Sequence, residues 1–258
     1  MELDLDSLRE ETEKNLTKNK FRLLVLFSVG ILGIFIFIAL APDMTDEEKS
    51  KVYRLPLTPQ EIYELSQVFS SYTENSYLYV LSLFCFLYLL MQSFAIPGPI
   101  VLSLISGTLF GRWVGLLIVT ICATTGSTIC YFLSDILGKG IIVRAFPDKI
   151  QKVHGAIQQQ KENVLFYLLF LRVVPIVPNW LINLTSPIIG IPIKTFFLAT
   201  LFGLIPPNCI HINTGMALSS LGSTEMSYES IALLVVLGVL IMLPPIYMKY
   251  NKSKKVKI

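Results

Sequence analysis

Histidine occurs twice in 258 residues and cysteine four times, and neither is placed for chemistry. His154 and His211 stand 57 positions apart with no carboxylate cluster beside them. Cys85, Cys122, Cys130 and Cys209 all fall in apolar stretches, without a Cys-x-x-Cys or Cys/His ligand spacing. They read as small buried hydrophobes. Metal catalysis and Ser-His-Asp hydrolysis are thereby left without residues, and no nucleophile–base pair replaces them. The expectation is a protein that is not an enzyme and holds no metal or cofactor. Charge is scarce as well: 15% of residues carry it, and the formal net charge of +3 is too small to point to nucleic acid. From Ser76 to Leu133 there is no acidic residue at all.

Apolar sequence takes the place of charge. The chain is 53% hydrophobic with a mean hydropathy of +0.64, values of a polytopic membrane protein. Residues 1–22 form a polar arm with six acidic and five basic residues, expected to be disordered or a short surface helix. The apolar run 23–41 is too long, and its flank too acidic, for a cleaved signal, so it reads as a first transmembrane helix. Residues 42–75 are a polar loop with seven acids and three bases. In it Thr58-Pro59-Gln60-Glu61 is a helix start, followed by Ile62, Leu65, Phe69 and Tyr72 at helical spacing. This predicts an amphipathic helix lying on the membrane or packed on the protein. Further spans are expected at 76–96, 113–132, 193–213 and 230–247. A polar connector, 134–162, carries a second surface helix opening at Pro147, with an apolar stripe of Ile150, Val153 and Ile157. The tail, 249–258, is basic without acids and is expected in the cytosol together with the amino terminus.

Two stretches do not suit a simple span. Asn163–Pro192 is apolar enough for a bilayer yet contains Arg172, four prolines, Asn179, Asn183 and Ser186. Pro175 and Pro178 should break the helix in mid-membrane. Broken backbone survives there only when it is buried in protein or lines a wet cavity. Upstream, Pro97-Gly98-Pro99 opens a short segment with Ser103, Ser106, Gly107 and Gly111. Paired Gly/Pro-interrupted segments point to a site near the membrane midplane. The fold class is therefore an all-α polytopic membrane protein with about five to six crossings and two facing re-entrant or broken segments. Arg172, Asn179, Asn183, Asn208 and Asn213 are the candidate polar path; Pro97, Gly98, Gly107, Pro175, Pro178, Trp180 and Pro187 would shape it. Arg172 has two compatible readings: a phosphate partner through its planar fork of donors, or a cap on the carbonyls of a half-helix ending before Pro175. The asparagines are expected to satisfy carbonyls freed by proline.

The runs FLRVVPIVPNWLINLTSPIIGIP, IPGPIVLSLISGTLFG and GLIPPNCIHINTG together resemble the DedA superfamily with its VTT domain, nearest the eukaryotic transmembrane protein 41 branch. The likeness covers residues 77–245, within a membrane domain drawn at 76–248. It implies two re-entrant helices facing each other, residence in the endoplasmic reticulum, and energy-independent phospholipid scrambling in support of autophagosome formation and lipid mobilisation. Membrane phospholipids and a related vacuole membrane protein are the partners it implies. In one respect the chain departs from the pattern. Bacterial relatives place an acid after the glycine of the first motif, where this chain has Pro99. A proton-coupled carrier needs a group that titrates within the membrane, so passive equilibration fits these residues better. The alternative is an ion- or proton-coupled transporter of small solutes or lipid phosphates, and a tethering protein working through its arms is a third reading.

Overall fold

A computed structural model describes residues 4–13, 15–52, 59–158, 163–174, 177–221 and 236. Every regular element among them is helical. In order these are α1 (Leu5–Glu13), α2 (Leu16–Ala39), α3 (Asp46–Val52), α4 (Pro59–Ser93), α5 (Pro99–Leu133), a π-turn (Ser134–Gly138), α6 (Lys139–Ala145), α7 (Pro147–Gln158), α8 (Val164–Val173), α9 (Asn179–Thr185), α10 (Ile193–Gly203) and α11 (Ile205–Leu221). Among the described residues, four stretches are long and apolar enough to cross a membrane: Leu16–Ala39, Ser76–Ser93, Pro99–Ala145 and Ile193–Ala217. The span expected at 230–247, apart from Val236, the basic tail, Thr58 and Pro175 lie outside the described residues.

The long elements are not straight rods. α4 is broken at Ser76 (φ −139°, ψ 42°), where the surface helix was expected to give way to a span. Pro99–Ala145 comprises 47 residues, which as one rod would measure about 70 Å against a hydrocarbon core of about 30 Å. Gly111 resolves the mismatch with φ 73°, ψ 174°, inside α5, a backbone that side chains with a Cβ rarely adopt. Before it stands a helix of roughly 18 Å, too short to cross. After it the chain runs about 33 Å to Leu133, a full span.

The chain divides into two compact units, one of Met1–Leu23, Ser127–Pro206 and Ser227–Ile258, the other of Leu24–Gly126 and Pro207–Met226. In the second unit, α2 docks its Gly30 and Gly33 against Leu90 and Phe86 of α4. Tyr79 donates its hydroxyl to the Phe37 carbonyl, 2.7 Å away. In the first half of α4, Leu65 and Val68 are buried, so that amphipathic helix packs on protein. Its Tyr72 hydroxyl reaches the Glu48 carboxylate at 3.0 Å, and Glu48 in turn closes a capping box with Thr45 at the start of α3.

In the first unit, the polar arm is helical as α1 and is docked. Leu5 and Leu8 pack on Ile142, Val143, Ile150 and Ile188, Glu13 pairs with Arg144 at 3.3 Å, and Gly140 leaves room for Thr12. Partly burying two leucines against this cluster, with the Glu13–Arg144 pair, offsets the disorder its composition suggests. The α7 stripe of Ile150, Val153 and Ile157 is likewise buried in protein instead of lying on a membrane surface. The reason is the same: an apolar stripe that finds a protein partner is removed from water without needing lipid.

Candidate functional site

The second broken segment lies wholly in the first unit. α8 has ten residues, about 15 Å, half the hydrocarbon thickness. Its end at Val173 passes into extended Val174 (φ −96°, ψ 122°). Pro178 (φ −56°, ψ 132°) then opens α9, which has seven residues. Pro178 lacks an N–H, but its carbonyl accepts the first helical bonds from Leu181 and Ile182. A turn through Pro187 follows, closed at Gly190 with φ 77°, before Pro192 leads into α10.

Arg172 sits where these pieces meet, with 2% of its surface exposed. One guanidinium nitrogen donates to Asn179 Oδ1 at 3.3 Å. The other donates to Asn183 Oδ1 at 2.7 Å and to Thr200 Oγ1 at 2.9 Å. Asn179 and Asn183 are four apart and share a face of α9. Phe196, Thr200 and Gly203 share a face of α10. The Phe196 ring lies 5.1 Å from the guanidinium carbon, a cation–π contact. A Cβ on Gly203 would fall 2.6 Å from the Arg172 Cβ, so this glycine sets how closely α10 can approach α8.

α5 supplies the third wall. Ser127, Tyr131 and Ser134 recur at four and three residues, one helix face. Asn183 Nδ2 donates to Ser127 Oγ at 3.2 Å. The Tyr131 hydroxyl donates to the Ile191 carbonyl at 2.7 Å, and Ser134 Oγ donates to the Leu184 carbonyl at 2.6 Å. The hairpin's freed carbonyls are thus satisfied by hydroxyls of α5 and of the π-turn that follows it, whereas the asparagine oxygens turn to the arginine. For Asn183, whose oxygen faces Arg172 and whose nitrogen faces Ser127, this differs from the expected bonding to freed carbonyls. Arg172 likewise differs from the carbonyl-cap reading: its hydrogen bonds among the described residues all go to side chains. Buried arginine needs acceptors, and α9 presents two on one face.

Three of the five candidate path residues, Arg172, Asn179 and Asn183, are therefore brought together. Asn208 and Asn213 lie on α11, in the other unit. Asn208 is buried and Asn213 exposed. Asn208 Nδ2 and His211 Nδ1 are buried without a hydrogen-bond partner among the described residues. Thr200, Tyr131 and Ser134 were missed by sequence reasoning. The four-and-three spacing of Ser127, Tyr131 and Ser134 was the signal available for the last two; nothing local marks Thr200.

Pro97, Gly98, Pro178 and Pro187 lie at turns or helix starts, whereas Gly107 and Trp180 lie inside α5 and α9. Gly98 has φ 141° in the turn between α4 and α5, one residue after Pro97. Trp180 on α9 packs on Phe146, ring centroids 5.8 Å apart, with the Lys149 ammonium 5.3 Å from its own ring. Gly107 and Gly215 serve the first broken segment, in the second unit. A Cβ on Gly107 would meet the Ile212 carbonyl at 2.4 Å, and one on Gly215 the Leu104 carbonyl at 1.8 Å. Only glycine lets these backbones touch.

The sequence model of the VTT domain matches residues 96–217. The Transmembrane protein 41 homolog of Caenorhabditis elegans is 36% identical over 245 residues, covering 94% of this chain and 99% of its own. Transmembrane protein 41B of Xenopus laevis is 34% identical over 240 residues, covering 91% of this chain and 86% of its own. The human Transmembrane protein 41B is 32% identical over 254 residues, covering 96% and 87%. This chain belongs to the VTT-domain, or DedA, family. No solved structure matches. The VTT-domain match takes in both broken segments and every residue of the Arg172 cluster, and it leaves out α1, α2 and α3.

Proposed function

We propose that this VTT-domain protein is an energy-independent phospholipid scramblase of the endoplasmic reticulum membrane, with both termini in the cytosol, supporting autophagosome formation and lipid mobilisation. Its substrates are membrane phospholipids, and it performs no covalent chemistry. Spontaneous flipping is slow because the headgroup's charge must cross hydrocarbon, and a passive catalyst needs only a polar route beside the tails. The observation that carries this reading is the burial of Arg172 at a helix break among neutral acceptors, with no carboxylate partner among the described residues. A guanidinium so placed keeps an electrostatic preference for a phosphodiester. The lack of acid from Ser76 to Leu133 supports passive equilibration over proton coupling. In the other unit, Asn208, whose amide nitrogen has no partner among the described residues, and exposed Asn213 are polar groups that α11 carries within apolar sequence.

The test is reconstitution into liposomes carrying fluorescent phospholipids, followed by dithionite quenching of the outer leaflet. Quenching well beyond half of the fluorescence, with no energy source, is expected. A plateau at half, from protein shown to be folded and inserted, contradicts the proposal.

A further inference from the structure

Among the described residues, the acceptors around Arg172 are all neutral. A carboxylate in their place would hold the fork with two charge-assisted bonds and close it to other anions. Amide and hydroxyl oxygens leave the positive charge without a counter-charge in a poorly polar surrounding, an arrangement that favours any oxyanion able to enter. Two of the three acceptors, Asn179 and Asn183, belong to α9. That helix is bordered by extended Val174 and Pro178 on one side and by the turn that closes at Gly190, with positive φ, on the other.

We propose that α9 is a latch on α8, opened by ligand exchange. A phosphate-type oxyanion, whether a lipid headgroup or free phosphate, displaces Asn179 and Asn183 from the Arg172 guanidinium and frees α9. Thr200 stays bound, because it reaches Arg172 from α10. Binding the anion and releasing α9 are then one event, and whatever holds α9 in place must weaken anion binding by the same factor. The identity of the anion rests on the scramblase reading; the exchange itself does not.

Trp180, on α9 next to Asn179, is a built-in reporter. The full-length protein in maltoside micelles, with Trp113→Phe removing the other tryptophan, is titrated with inorganic phosphate, with dihexanoyl phosphatidylcholine, and with dihexanoylglycerol as the phosphate-free control. A saturable shift of Trp180 emission with a phosphate-bearing ligand, and none with dihexanoylglycerol, is expected. Response to phosphatidylcholine alone assigns the lipid as the key; response to inorganic phosphate as well assigns the oxyanion itself. Asn183→Asp supplies the missing carboxylate, and Ser127 can donate to it, so the latch should lock and the apparent affinity fall at least tenfold. Asn179→Asp repeats the test if the first variant does not fold by circular dichroism. An unchanged titration in the folded aspartate variant, an equal response to dihexanoylglycerol, or no response to either phosphate ligand overturns the latch. A positive titration from protein that does not scramble would uphold the latch and sink the scramblase reading. Scrambling without a titration would do the reverse.

Discussion

The two broken segments solve one problem by opposite means. Both interrupt a helix near the middle of an apolar stretch and must satisfy the backbone groups that the break sets free. The first, Pro99–Gly111, does so by close packing. Gly107 and Gly215 bring backbones of α5 and α11 into contact, and its polar groups are neutral hydroxyls, Ser106 bonding to the Ser103 carbonyl, Ser103 to that of Pro99, and Thr108 to that of Gly215. The second, α8 through the Gly190 turn, is held by a polar network around a buried cation. Steric fit has one arrangement, whereas a network of neutral acceptors around a charge can exchange partners. Under the proposed function, this difference is the reason to place headgroup contact at the second segment and scaffolding at the first.

The sharpest way to break that comparison is at Gly215. Its Cβ would fall 1.8 Å from backbone that cannot yield. Gly215→Ala should cost at least about 3 kcal/mol, the upper end for overpacked sites, read as a lower melting temperature in detergent. If Gly215→Ala melts like the wild type, the first segment is not held sterically.

Polar deletions in the second segment should be milder. Tyr131→Phe strands the Ile191 carbonyl and Ser134→Ala the Leu184 carbonyl, each costing about 1–2 kcal/mol. Thermal unfolding of the two single variants and the double checks this. Because both hold the same hairpin, the double should fall short of the sum if one deletion already loosens it.

The smallest effect is far from either break. The Thr45 backbone N–H and hydroxyl, then the Tyr72 hydroxyl, hold the Glu48 carboxyl below its ordinary value of 4.5. A lowered carboxylate stabilises the folded state above its unfolded value and loses that contribution as pH falls through the folded one. The α3–α4 clasp should therefore gain protease sensitivity only below pH 4.5. Glu48→Gln should flatten that dependence while leaving the broken segments unaffected.

Much of this arrangement was legible in the chain. Glycine and proline announce breaks through backbone chemistry alone, so Gly111 and Pro178 fell where the residues require, and the switch from polar loop to apolar run placed the break at Ser76. Arg172, Asn179 and Asn183 were readable because polar residues are expensive in apolar sequence. What could not be read was direction. Nothing local says that Asn183 turns its oxygen to Arg172 and its nitrogen to Ser127, 56 residues away, or that Thr200 completes the shell. The docked arm was hidden for a related reason: Leu5 and Leu8 are too few to signal a packed helix until Ile142, Val143 and Ile188 are beside them. The grouping of Ser127–Pro206 with Met1–Leu23 is invisible to any reading along the chain.

One measurement tests the central claim most directly: initial scrambling rates of Arg172→Gln and Ser103→Ala in the same liposomes, normalised to folded, inserted protein. Each removes a buried polar group from one broken segment, Ser103 giving up its contact with the Tyr88 hydroxyl at 3.1 Å. Arg172→Gln should be at least tenfold slower than wild type and Ser103→Ala within twofold of it. Equal rates in the two variants, or a normal rate without the guanidinium, would contradict the assignment of headgroup contact to Arg172.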